Sequence, residues 1–172
     1  RATIGRRLVE NHPDIGRVDD IDVLLNEAID ILSDTDLEWM FQAGLSEVPI
    51  SVDLPAYGQD RLYGIIDRLI ADGEDVIAVD FKSNRATPKD AAETPMGLKR
   101  QMAAYRDALR EIYPNHRIRT LLLWTRKRTI TELSDADLDH ALAGVTAPLR
   151  TPPRSIRSPS KRIHAGGAQW PP

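Results

Sequence analysis

The sequence predicts an α/β domain: a mixed central sheet flanked by helices, with a helical segment at its N-terminal end. Three observations carry this. Apolar residues recur at helical spacing before residue 45 and then switch to alternation from residue 46. Two apolar strands meet at Asp72-Gly73-Glu74, a hairpin turn by composition. A helix opened by Pro95 leads into the strongly apolar run 118–125.

Taken in order, residues 2–10 set Ile4, Leu8 and Val9 at helical spacing. Residues 18–32 place Ile21, Leu24, Leu25, Ala28, Ile29 and Leu32 on one stripe. A third, short helix through 37–41 has Asp34 or Asp36 as its cap and Gly44 as its stop. Residues 46–54 alternate Val48, Ile50, Val52 and Leu54 with polar neighbours, and Pro49 marks them as an edge strand. Strands follow at 61–70 and 76–82, and residues 84–94 form a polar loop. The helix from Pro95 runs to about 112, with Leu98, Met102, Tyr105 and Leu109 on one side, until Pro114-Asn115 breaks it. Residues 118–125 read as a central strand, 129–133 as a last short one, and Ser134 as the cap of a helix through Leu142. The domain organisation is therefore a helical part at 1–45, a core at 46–143 and a Pro- and Arg-rich tail at 144–172, read as disordered.

Composition excludes several classes. The 172 residues contain no cysteine, which rules out disulfides, thiolate zinc sites and cysteine-held iron–sulfur clusters and fits a reducing cytoplasm. The longest apolar runs are far shorter than the roughly 20 residues that a bilayer-spanning helix needs. The first residue is Arg1 rather than Met, so the chain is expected to be a segment of a longer protein. The net charge of −3 conceals an asymmetry. Arg150, Arg154, Arg157, Lys161 and Arg162 lie in the tail without an acid, leaving 18 basic against 26 acidic residues before it. Such a domain does not hold a polyanion as a simple basic clamp; a metal ion or a fused partner must supply attraction.

The hairpin concentrates chemistry. A loop at Gly73-Glu74 sets Asp67 opposite Asp80, whereas a loop one residue earlier sets it opposite Ala78 and leaves Asp80 on the diagonal. Both keep the two acids on one face; a three-residue loop does not. Asp80 and Lys82 share a face at about 6.6 Å. Two carboxylates and an ammonium thus gather in one patch, expected at an edge of the sheet, a donor set suited to Mg²⁺ with its preference for hard oxygen ligands, and Glu47 on the neighbouring strand is a further candidate ligand. Spacing alone equally describes an ion pair on a solvated face. The apolar flanks Val76-Ile-Ala-Val79 and Gly64-Ile-Ile favour a functional role, because charges there cost desolvation unless paired or metal-bound.

Gly64-Ile-Ile-Asp67, Val79-Asp-Phe-Lys-Ser-Asn84 and Gln101-Met-Ala-Ala-Tyr105, in that order and spacing, resemble the PD-(D/E)xK nuclease superfamily and its restriction-endonuclease-like core. Ser46-Glu-Val-Pro-Ile50 and Leu122-Leu-Trp-Thr125 narrow the resemblance to the C-terminal nuclease domain of AddA-type and RecB-type helicase–nucleases, across roughly residues 1–143. The resemblance implies an Mg²⁺- or Mn²⁺-dependent DNA nuclease that cuts single strands in double-strand break repair. It also implies fused helicase domains and an AddB-like partner subunit. Asp67 and Asp80 would be metal ligands with the Phe81 carbonyl, and Lys82 the catalytic lysine. Gln101 would act beside it, with Tyr105 and Asn84 toward the DNA. One departure stands out: Arg1-Ala-Thr-Ile-Gly-Arg6 places Arg6 where the resemblance expects a metal-binding His. Arg6 is suited to a phosphate rather than a cation, which admits a second expectation, a module of this fold that has lost its metal chemistry.

Overall fold

The computed structural model describes residues 21–53, 61–84 and 86–143. The expected helix at 2–10, Arg6, Leu54 and the tail beyond residue 143 lie outside these, as do the side chains of Ile21 and Leu24. Elements follow in the order α1 (Ile21–Ser33), α2 (Glu38–Gln42), β1 (Leu45–Val52), β2 (Leu62–Asp72), β3 (Asp75–Lys82), α3 (Met96–Ile112), β4 (Arg117–Trp124), β5 (Thr129–Leu133) and α4 (Asp135–Leu142). The strands form one five-stranded sheet in sequential order. β3 and β4 are parallel, with α3 as the crossover between them, and the remaining pairs are antiparallel. The fold is the α/β arrangement of a mixed sheet flanked by helices.

The sheet divides two cores. On one side Val76, Ala78, Ile118 and Leu122 pack with Met102, Ala104, Tyr105 and Leu109 of α3 and Leu138 of α4. On the other, Ile77, Val79, Leu121 and Leu123 pack with Ile31, Leu37 and Met40. β3 and β4 are therefore apolar on both faces, which accounts for their near-continuous hydrophobic runs. Asp72 pairs with Asp75 across a two-residue loop, and Gly73 at φ +60° supplies the conformation that a side chain resists there. α4 opens on Ser134, whose hydroxyl accepts from Asp137 N–H while the Asp137 carboxylate accepts from Ser134 N–H.

Three expectations are corrected. Leu32 is 50% exposed and Ala28 is exposed, while the neighbouring Ile31 enters the core; α1 is rotated by about one residue from its expected face. Neither Asp34 nor Asp36 caps α2: the N-cap position falls on Leu37, and Asp34 Oδ1 instead accepts Asp36 N–H at 3.0 Å. The third concerns the candidate site. It was expected at a sheet edge, but Asp67, Asp80 and Lys82 lie on β2 and β3, both interior strands.

The α2 terminus is held by an arginine. Arg68 donates to the carbonyls of Met40 (2.9 Å), Phe41 (3.1 Å) and Ala43 (2.7 Å) and to Ser46 Oγ (2.6 Å). Those carbonyls are among the groups that a helix end leaves without an internal partner.

Candidate active site

The site forms where β2 leaves β3. Their pairing ends at Arg68↔Val79, and β2 continues against β1 alone. On β2, both Ile66 and Leu69 pack into the α3-side core, although residues three apart on an uninterrupted strand face opposite ways. The alternation therefore changes phase between them. At the same level of β1, Glu47 has φ +52° and no partner residue across the ladder. Asp67 stands at this dislocation. Its Oδ2 accepts Phe81 N–H at 2.7 Å, replacing the carbonyl that a continued ladder would have supplied.

β3 sets the other groups by parity. Glu74 and Lys82 carbonyls bond toward β4, so even-numbered β3 residues direct their main chain that way and odd-numbered ones toward β2. Phe81 C=O therefore points to the same side as Phe81 N–H, the side of Asp67. The side chains of Asp80 and Lys82 share the α3 face, and Lys82 Nζ forms an ion pair with Asp80 Oδ2.

α3 closes the site from above. Gln101 Nε2 donates to Asp80 Oδ1 at 3.0 Å and to Tyr105 Oη at 3.1 Å, and Tyr105 Oη donates to the Ile65 carbonyl at 2.8 Å. The Tyr105 proton is committed to Ile65, so its oxygen must accept, and this fixes which end of the Gln101 amide faces it. The amide oxygen is left toward Lys82 Nζ, at a long 3.5 Å. Spacing of four residues puts Gln101 and Tyr105 on one helix face. Close approach of α3 to β2 requires Gly64, where a Cβ would lie 2.8 Å from Tyr105 Cε1.

Burial sets the electrostatics. Asp80 is 3% exposed. Desolvation pushes its pKa above the ordinary carboxylate value; Lys82 and Gln101 oppose the rise and the Asp67 charge adds to it. Burial also raises the Tyr105 phenol, with the charges of Asp80 and Asp67 acting in the same direction. Two carboxylates share one nearby ammonium, and that residual negative charge favours a further cation.

The residues fit a hard divalent ion. The Asp80 and Asp67 carboxylates retain acceptor capacity, and the Phe81 carbonyl faces their side. Among the described residues, no group of three or more His, Asp or Glu is placed to hold a metal. The remaining positions would fall to water and substrate oxygens, the usual arrangement for Mg²⁺.

Of the residues singled out from sequence, Asp67, Asp80, Phe81, Lys82, Gln101 and Tyr105 come together. Glu47 does not join the acids: it is exposed on β1 and completes no three-acid group. Asn84 is exposed just past β3, with no hydrogen bond to the cluster. Arg6 is outside the described residues. Sequence reasoning missed the groups that hold the end of β3. Thr125 donates its N–H to Lys82 O at 3.0 Å, and Arg126 Nε donates to Ser83 O at 3.0 Å. Glu27 of α1 accepts from the Thr125 hydroxyl. The available signal was Thr125 directly following the apolar strand parallel to β3.

Comparison with known families agrees with this geometry. A family model described as the PD-(D/E)XK nuclease superfamily matches residues 15–160. No curated protein matches the chain.

Proposed function

The chain belongs to the PD-(D/E)XK nuclease superfamily, and from that premise we propose that it is a divalent-metal-dependent DNA nuclease that hydrolyses phosphodiester bonds of single strands. We further propose that it is the nuclease module of a bacterial helicase–nuclease in double-strand break repair, with fused helicase domains and an AddB-like partner. The observation that carries the nuclease reading is the convergence of Asp67, Asp80 and Lys82 under the Gln101–Tyr105 bridge. The helicase-fused reading rests on the AddA-like order of motifs and on the acidity of the domain, which makes delivery of DNA by a motor useful.

In this mechanism Asp67, Asp80 and the Phe81 carbonyl would hold Mg²⁺ or Mn²⁺, which when bound would supply Lewis-acid chemistry toward the phosphodiester and the attacking water. Lys82 lies beside the carboxylates with its side chain 18% exposed. From there it orients the attacking water and offsets charge developing on the phosphate. Gln101 is a positioning residue: it restrains Asp80 through its Nε2 and faces Lys82 with its Oε1. Tyr105 fixes that amide and anchors it to the Ile65 main chain.

The test is cleavage of labelled single-stranded DNA with Mg²⁺, Mn²⁺ or EDTA, beside Asp80→Ala. Cutting that needs the metal and disappears in the folded variant is the expected result. Metal-independent cutting, or full activity in Asp80→Ala, overturns the reading. A second reading, a module of this fold without metal chemistry, is favoured by Arg6 at the position where the resemblance expects a metal-binding His. A folded chain that binds DNA but cuts it in neither Mg²⁺ nor Mn²⁺ would establish that alternative.

A further inference from the structure

We propose that the turn between β4 and β5 is a phosphate-binding ridge, in which Arg126 and Lys127 seat the backbone of a single strand beside Lys82. This rests on the nuclease reading and adds to it a surface that holds the substrate.

Topology places the turn. β3 and β4 are parallel and in register at Lys82↔Trp124, so both end at the same side of the sheet. The turn begins at Thr125, and Thr129 pairs back with Trp124. Neighbouring strands lie roughly 4.8 Å apart, so the turn emerges next to the lysine of the site. Its main chain is fixed by Lys127 N–H to Trp124 O (3.1 Å) and Arg128 N–H to Thr125 O (3.3 Å). Arg126 is tied by Nε to the carbonyl of Ser83, the residue after Lys82. That bond orients the guanidinium along the end of β3 and leaves its terminal nitrogens for another acceptor.

Charge distinguishes these two residues. Among the described residues, the exposed cations Arg61, Lys89, Arg110, Arg117 and Arg128 each face a carboxylate within ion-pair distance. The Arg128 pair, with Asp34, is long at 3.8 Å. Arg126 and Lys127 are exposed and face no carboxylate among the described residues. In a domain with an acidic surplus, cations left without countercharge are where a polyanion is attracted. Glu27 and Asp34, the acids packed near the turn, are turned to Thr125 and Arg128. A planar guanidinium tied by one nitrogen and a flexible ammonium beside it suit successive phosphates of a backbone.

The experiment measures binding separately from cutting. Affinity of a fluorescently labelled oligothymidylate is followed by anisotropy with Mg²⁺ in the Lys82→Ala chain, with and without Arg126→Gln and Lys127→Gln, across a salt series. Each lost phosphate contact lowers the slope of log affinity against log salt by about 0.7 for single strands, so the pair lowers it by about 1.4. At 0.1 M salt that corresponds to a roughly 25-fold loss, counting counterion release from 1 M. Arg117→Gln, at the opposite end of β4, serves as the control and leaves the slope unchanged. Equal affinity and slope with and without the two substitutions overturns the proposal, as does an equal loss in the control or no DNA binding by any of the chains. Failure of the nuclease reading is recognised separately, as absence of cutting by the chain that retains Lys82.

Discussion

Gly64→Ala probes how tightly the fold couples helix packing to the site. A Cβ at this position would lie 2.8 Å from Tyr105 Cε1 and 3.5 Å from Tyr105 Cζ and Oη. Carbon atoms in ordinary contact are about 3.5–4.0 Å apart, so the ring must retreat by roughly 0.7 Å. Tyr105 is 7% exposed and cannot swing into solvent. The same displacement stretches its 2.8 Å bond to Ile65 O to the limit of hydrogen bonding and loosens its 3.1 Å contact with Gln101. Overpacking costs about 1–3 kcal/mol, and replacing glycine inside a strand returns about 0.5–1 kcal/mol. The net is about 1–2 kcal/mol, seen as a melting temperature lowered by roughly 2–8 °C. Displacement of Gln101 lowers the cleavage rate by about 10- to 100-fold. The assay is thermal unfolding and single-turnover cleavage of Gly64→Ala, Tyr105→Ala and the double variant. Tyr105→Ala removes the clash, so the double variant is more stable than the summed single losses by about 1 kcal/mol. Additive losses, or an unperturbed Gly64→Ala, would refute the packing argument.

Other consequences are equally direct. On the proposed metal site, binding to the folded chain alone means that Mg²⁺ at 100 times its dissociation constant should stabilise it by about 2.7 kcal/mol; calorimetry should show this in the native chain and not in Asp67→Ala or Asp80→Ala. The pKa of Asp80 is raised by burial above its unfolded value. The folded state therefore holds that proton more tightly, and without metal its contribution to stability is lost as pH rises above the ordinary carboxylate range toward the folded value. Melting curves in EDTA at several pH values should show this loss relative to Asp80→Asn, and parallel curves would contradict it. Arg68→Ala leaves the carbonyls of Met40, Phe41 and Ala43 without their donor and should cost about 2–3 kcal/mol by denaturant unfolding.

Much of the fold was legible because its signals are local. Alternation through Val48, Ile50 and Val52, the Gly73 turn, Pro95 before a helix and Ser134 at the last one each act within a few residues. The hairpin left two registers open, and the structure takes the one with Gly73-Glu74 as the loop; the ladder stops at Arg68↔Val79, so Asp67 is not paired with Asp80 and joins the site through Phe81 N–H instead. Gln101 and Tyr105 were legible as a pair one helical turn apart. Long-range features were not. The site was expected at an edge because strand order is invisible in the sequence, and β4 and β5 extend the sheet beyond β3. The phase change between Ile66 and Leu69 has no compositional mark; it arises between two strands, opposite Glu47. The exchange of Leu32 for Ile31 in the core is a small rotation of α1, which periodicity over a few turns does not resolve. Arg126 and Lys127 carry no sequence signal of their own; the parallel pairing of β3 and β4 is what brings their turn to the end of β3 that carries Lys82.

The most direct test of the central claim is the single-turnover rate of single-strand cleavage by Lys82→Ala with Mg²⁺. Lys82 stands beside the carboxylates at the mouth of a buried site, and removing a donor of this kind costs about 10²–10³-fold in rate. A loss of at least that size is expected in a chain that stays folded, checked by circular dichroism. A folded Lys82→Ala chain that cuts at the native rate would contradict it and remove this cluster from the chemistry.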